Sequence, residues 1–206
     1  AESYLYFPLE NIKKYVYFPL QYQPEETIDV QGIYFSNQIE MARLCAMSMP
    51  EDFILVVKDH PEMAGKRNPS YLEKLAATPN VKLIDHRVPT EKVIKGAALL
   101  ISPNSTTVAE AAFYNTPCIQ LGMLGTTLKL PNVFQHTEIP TLAKKVKEVL
   151  KMDLHTKEYE RRLENYVAAT FDTGLESMYM ELWERNIDED MDKLWSYYRN
   201  EIVKAL

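Results

Sequence analysis

At 206 residues, with 46% hydrophobic and 25% charged side chains, the chain has ordinary globular composition and can bury one good core. A net charge of -6 gives no bulk electrostatic invitation to nucleic acid, and the short Lys144, Lys145, Lys147, Lys151 run reads as a solvated helix face. The two cysteines make no disulfide framework, the four histidines show no metal-ligand spacing, and no apolar run approaches the roughly 20 residues of a membrane helix.

The N-terminus is aromatic without a basic flank, so no signal peptide is expected and a reducing cytoplasm is the default setting. Tyr4-Leu5-Tyr6-Phe7-Pro8-Leu9 nearly repeats Tyr15-Val16-Tyr17-Phe18-Pro19-Leu20. Two copies cannot make a solenoid, so residues 1–14 read as an extension, either an edge strand or the remnant of an interdomain connection. Residues 15–21 are aromatic and β-branched and predict a strand ending at its proline. Residues 36–48 predict a helix opened by Ser36, with Ile39, Met41, Ala42, Leu44 and Cys45 on its apolar side.

The apolar run 53–57 fits a central parallel strand covered on both faces. A short helix over 70–77 opened by Ser70, a strand over 81–84, a helix over 90–95 capped by Thr90, a strand over 97–102, a helix over 105–115 and a strand over 117–121 follow. This alternation predicts an α/β fold: a Rossmann-like parallel sheet of about five strands with helices on both faces, spanning 15–150. Residues 137–150 predict one amphipathic helix, and 151–206 a C-terminal helical segment whose Trp183, Trp195, Tyr197 and Tyr198 dock on the sheet or on a neighbour.

Ligands of such sheets sit beyond the carboxyl ends of the strands, so the residues after each strand are the candidates. Lys58-Asp59-His60-Pro61 follows the buried strand, and a cation beside an imidazole donor suits a phosphate leaving group. The plain alternative is a solvated loop. Ser105-Thr106-Thr107 offers hydroxyls and free N–H groups at a helix start, which either bind an anion or simply cap the helix. Thr107-Val108-Ala109-Glu110 spells a capping box, which favours a backbone role for Glu110.

The Gln21–Thr27 segment, with Gln23 and Glu25, follows the first strand and could hold a sugar; a polar connecting loop is the commoner reading. Gly122 permits close approach to a ligand or supplies a backbone turn. Asp85-His86-Arg87-Val88-Pro89 follows the third strand and could present backbone groups to a base. No GxGxxG, Walker A or GxSxG sequence is present. Asn104-Ser105-Thr106 matches a glycosylation sequon by chance at a helix start.

Taken in order, Pro19-Leu20-Gln21-Tyr22-Gln23-Pro24-Glu25, Val57-Lys58-Asp59-His60-Pro61, Asn80–Ile84, Ser102-Pro103-Asn104-Ser105-Thr106-Thr107 with Glu110, and Thr116–Gly122 resemble the bacterial capsule polysaccharide biosynthesis family over residues 15–125. That family is similar to Kdo transferases that use CMP-activated sugars. The resemblance implies the C-terminal, donor-binding half of a GT-B glycosyltransferase. By it, Lys58 and His60 contact the donor phosphate and act catalytically, Ser105, Thr106 and Thr107 bind phosphate, Glu110 meets the ribose or base, Gln23 and Glu25 face the sugar, and Gly122 lies at the donor site.

It further implies an inverting enzyme that needs no metal or cofactor, a nucleotide-sugar substrate, a polysaccharide or glycolipid acceptor, a separate N-terminal acceptor domain, and a cytoplasmic place with peripheral association at the inner membrane face. Gln21 stands where the family often carries histidine, and glutamine is neither acid nor base. A donor half alone would bind without transferring. Two alternatives stay open: an enzyme of the UDP-sugar 2-epimerase kind, and a non-catalytic nucleotide- or partner-binding module.

Overall fold

The computed structural model describes residues 6–174 and 188–205. Trp183 and the start of the first aromatic copy, Tyr4-Leu5, lie outside the described residues. The chain divides into two compact units, 1–163 and 164–206.

The first unit is built on one six-stranded sheet: β1 (Tyr15–Pro19), β2 (Ile54–Lys58), β3 (Val81–Ile84), β4 (Leu99–Ser102), β5 (Cys118–Gln120) and β6 (Val133–Gln135). Every adjacent pair is parallel, in the order β3-β2-β1-β4-β5-β6. The chain thus moves outward from β1 on one side, then returns across it to β4. Every residue of β1 is buried, as expected of a strand covered on both faces.

Its even positions, Val16 and Phe18, join Leu55, Val57, Leu83, Leu99, Ile101 and Ile119 in a core. That core is closed by α2 (Gln38–Met47), which follows the one-turn α1 (Glu26–Asp29), and by α3 (Pro69–Ala76) and α6 (Leu142–Val149). The odd positions face α4 (Thr90–Gly96) and α5 (Thr107–Ala112): Tyr15 donates its hydroxyl to Val93 O at 2.7 Å. Burial pushes the Tyr15 phenol up to about 12, so it remains a donor. Tyr159, at the start of α7 (Lys157–Thr173), is buried and donates to Ala112 O at 2.6 Å.

Several elements differ from the sequence reading, each for a local reason. The sheet has a sixth strand, β6, whose three residues are too short to show an alternation. Asn37, not Ser36, caps α2, its side chain accepting from Glu40 N at 3.2 Å, while Ser36 Oγ donates to Ile33 O. Asn68 caps α3, with Pro69 at the first helical position. Thr90 is inside α4 and its hydroxyl makes no cap bond. The span 137–150 splits into a 3-10 turn at Ile139–Thr141, with Pro140 as its second residue, and α6.

Residues 6–9 lie along the open edge of β3, where Phe7 N donates to Leu83 O at 2.8 Å without forming a strand. In the second unit, α8 (Asp188–Ala205) leaves Trp195 and Tyr198 exposed, and Tyr197 donates to Thr173 O at the end of α7. No helix of the described residues is long and apolar enough to cross a membrane.

Candidate functional site at the switch point of the sheet

Since β1 pairs with β2 on one side and β4 on the other, the loops leaving these strands part company at their carboxyl ends and leave a crevice there. A cavity of about 370 Å³ occupies it, lined by the residues that follow β1, β2 and β4 together with Thr90 and Leu124. That volume is in the range of small-molecule sites. Lys58, His60, Glu25, Ser105, Thr106, Thr107 and Glu110 all line it.

Lys58 ends β2 and is 3% exposed. Its Nζ donates to Thr90 Oγ1 at 2.7 Å and Val88 O at 3.0 Å, which leaves one of three protons uncommitted. Burial holds its pKa below the ordinary value, and the Glu110 carboxylate opposes that fall. Partial burial raises Glu110 in turn, with Lys58 opposing. Thr90 therefore acts as an anchor for Lys58 rather than as a helix cap.

His60 stands at the head of a 3-10 turn, Pro61–Met63. Glu62 N donates to its Nδ1 at 3.2 Å, so the neutral ring carries its proton on Nε2 and offers that proton to a ligand. Tyr22 meets the ring edge-on, with centroids 5.9 Å apart.

The capping box does not form. Thr106 occupies the cap position without a side-chain bond, and Ser105 Oγ accepts from Thr107 N at 3.1 Å. The Thr106 and Thr107 hydroxyls and the Glu110 carboxylate make no hydrogen bond among the described residues and face the cavity instead. Six residues of α5 sum to only a small dipole, so anion binding falls to the hydroxyls and the Lys58 cation rather than to the helix field.

Two residues expected at the site do not line this cavity. Gln23 does not line the cavity: its Nε2 donates to Asp29 Oδ1 at 2.7 Å and Ser36 O at 3.2 Å, and its Oε1 accepts from Gln38 at 2.5 Å. An amide engaged at both ends holds a loop and has little left for a sugar. Gly122 is also outside the lining, and its missing side chain makes room for Asn104: an added Cβ would lie 2.7 Å from Asn104 Cγ. Asn104 is fully buried, which removes the sequon from any modifying enzyme.

Other residues of the site were not singled out from sequence. Tyr17 lies 1% exposed in the lining, its phenol pushed far up by burial, with Glu110 adding to the shift. Its place beside Lys58 follows from the parallel register, Pro19 opposite Lys58, which no local pattern encodes. Asn104 donates to Thr27 O at 2.8 Å and accepts from Leu124 N at 3.1 Å, tying two walls together. Among the described residues no cluster of His, Cys, Asp and Glu could hold a metal ion.

No protein-family model and no curated protein matches the chain. Solved structures do. The UDP-GlcNAc 2-epimerase from Methanocaldococcus jannaschii matches 79% of this chain and 48% of its own, at 17% identity and a TM-score of 0.52. The calicheamicin glycosyltransferase CalG4 matches 80% of this chain and 40% of its own, at 16% identity and a TM-score of 0.51. KpsC, a beta Kdo 2,7 transferase from Thermosulfurimonas dismutans, matches 62% and 40%, at 19% identity and a TM-score of 0.47.

The chain is folded like one half of a GT-B protein. It spans less than half the length of each of these structures. The likeness is one of fold: six parallel strands flanked by helices.

Proposed function

We propose that the cavity is the donor site of a glycosyltransferase acting on a cell-surface or capsular polysaccharide, and that it takes a nucleotide-activated sugar, CMP-linked. The observation that supports this most is convergence. A buried lysine, a half-buried imidazole with its donor proton on Nε2, and two unengaged threonine hydroxyls come from two separate strand ends to one cavity. Such a set suits a phosphate that gains negative charge as its bond to the sugar breaks.

In this reading an acceptor hydroxyl attacks the anomeric carbon as the bond to the nucleotide phosphate breaks, and the released phosphate takes the electron pair. Lys58, through its uncommitted proton, and His60, through Nε2–H, stabilise that charge. Thr106 and Thr107 donate to the remaining phosphate oxygens. Glu110 and Glu25, exposed at the mouth, are placed to accept from ribose and sugar hydroxyls. Acceptor contacts and the general base come from a second, N-terminal domain.

A thermal-shift titration with CMP, UDP and GDP and their sugar conjugates tests it. A ligand at 100 times its Kd stabilises the fold by about 2.7 kcal/mol. Stabilisation by CMP that disappears in His60→Ala is the expected result. Wild-type affinity in His60→Ala sinks the site assignment, and a UDP-selective shift moves the reading to a UDP-sugar enzyme, the 2-epimerase kind included.

A further inference from the structure

Asp59 lines the cavity and forms an ion pair with Arg67, which lies outside the lining; the donor reading uses neither. Asp59 and Arg67 bury their side chains to 4% and 6% exposure, with Arg67 Nε donating to Asp59 Oδ1 at 2.8 Å. The same Oδ1 accepts from His60 N at 2.8 Å. Arg67 Nη2 donates to Gln21 O, just past the end of β1, and the guanidinium sits 4.8 Å over the Tyr71 ring. Between Asp59 and Arg67 the chain makes the Pro61–Met63 turn and reverses at Gly65, whose φ of 76° suits glycine. One guanidinium therefore closes the loop that carries His60 and fastens it to the loop that carries Tyr22 and Glu25.

A buried ion pair returns little net stability compared with well-packed apolar replacements, while breaking one partner leaves an uncompensated charge. What the planar, forked guanidinium does provide is fixed geometry, which a lysine ammonium cannot copy. We infer that Arg67 is a positioning residue: acting through Asp59 and the Gln21 carbonyl, it sets the backbone of His60 and thereby the direction of its imidazole relative to the opposite wall. The Gln21 carbonyl is itself held by Gln38 Nε2 at 3.3 Å, and Gln38 accepts from Gln21 N, so the anchor on the β1 side is fixed as well. The consequence for nucleotide rests on the donor-site reading, whereas the consequence for His60 does not.

The test uses Arg67→Lys in the full chain, which keeps the charge and loses the fork. The His60 ring signals are read by NMR with labelled histidine and assigned by their loss in His60→Ala. Binding of CMP and UDP is measured in parallel. Expected are an unchanged cooperative melt, His60 signals displaced from the single Nε2–H tautomer, and nucleotide binding weaker by on the order of tenfold. In a His60→Gln background, Arg67→Lys adds no further loss, because residues acting through one another are non-additive.

His60 signals that stay in place overturn the inference, and so does an additive loss in the His60→Gln background. Should Arg67→Lys not fold, the pair Asp59→Asn with Arg67→Met removes both charges together, and the same signals are read there. If the wild-type chain binds neither CMP nor UDP, the donor reading falls and the His60 signals alone decide the role of Arg67.

Discussion

Asn104 and Gly122 form a pair in which a side chain and the absence of one are equally needed. The Asn104 amide sits against the Gly122 backbone and joins Thr27 O to Leu124 N, so both walls of the cavity depend on it. Gly122→Ala pushes a methyl into that amide and is expected to destabilise the fold by about 1–3 kcal/mol. Asn104→Ala leaves a carbonyl and an N–H unpaired, and a similar loss of about 1–3 kcal/mol follows. Urea midpoints of the two variants check both values, and a neutral result for Gly122→Ala would restore the reading of that glycine as a ligand contact.

A smaller effect belongs to Asp85. Its carboxyl is held at about 2 by hydrogen bonds from Arg87, against an ordinary 3.8. A depressed carboxyl contributes stability that is present above about 4 and is lost as the pH falls through about 2. Arg87 is 76% exposed, so solvent screens the pair and the contribution is modest. Urea midpoints of wild type and Asp85→Asn are expected to differ slightly near neutral pH and to converge below about pH 2. A gap that widens on acidification contradicts the assignment.

At the scale of the elements, the start of α2 does more than open a helix. Asn37 caps it, and the next residue, Gln38, is 1% exposed and bridges Gln21 and Gln23. Asn37→Ala is expected to remove about 1 kcal/mol, and Ser36→Ala to stay within about 0.5 kcal/mol, because only Asn37 accepts from the first-turn N–H groups. Equal losses, measured by denaturant titration, would mean that the two residues share the cap. The same glutamine chain explains why the loop after β1 carries so many amides. Gln21, Gln38 and Gln23 satisfy one another and the buried backbone around them, which is the condition for burying polar groups without loss.

For the whole molecule, the six-stranded sheet and every residue lining the cavity lie within the first compact unit. A chain ending at Gly174, which keeps all of α7 and the buried Tyr159, is therefore expected to melt cooperatively and to keep the whole cavity, so that under the proposed donor-site function it binds the same nucleotide as the full chain. Loss of the transition in that truncation, followed by circular dichroism, would show that α8 contributes to the sheet unit. Within the sheet, Leu99→Ala in β4 removes a fully buried side chain at the centre and is expected to destabilise by about 2–5 kcal/mol.

The amino-acid sequence alone determined the class of fold and most of its elements. Buried parallel strands must be apolar on both faces, so runs such as Phe53–Val57 announce themselves, and the polar residues that follow mark the rim of the sheet. Lys58, His60 and Ser105 to Thr107 were legible for that reason. What the tertiary structure decided is which of those residues meet. Gln23 and Gly122 sit in the right loops, yet one is engaged by Asp29, Ser36 and Gln38 and the other makes room for Asn104. Glu110 spells a cap but lines the cavity that Lys58 also lines. Tyr17 reaches the cavity through strand register, and Arg67 reaches Asp59 of its lining through a folded-back loop. Propensity, capping and periodicity act over a few residues, whereas hydrogen bonds such as Asn104 to Thr27, 77 positions apart, exist only once the sheet has brought their partners together.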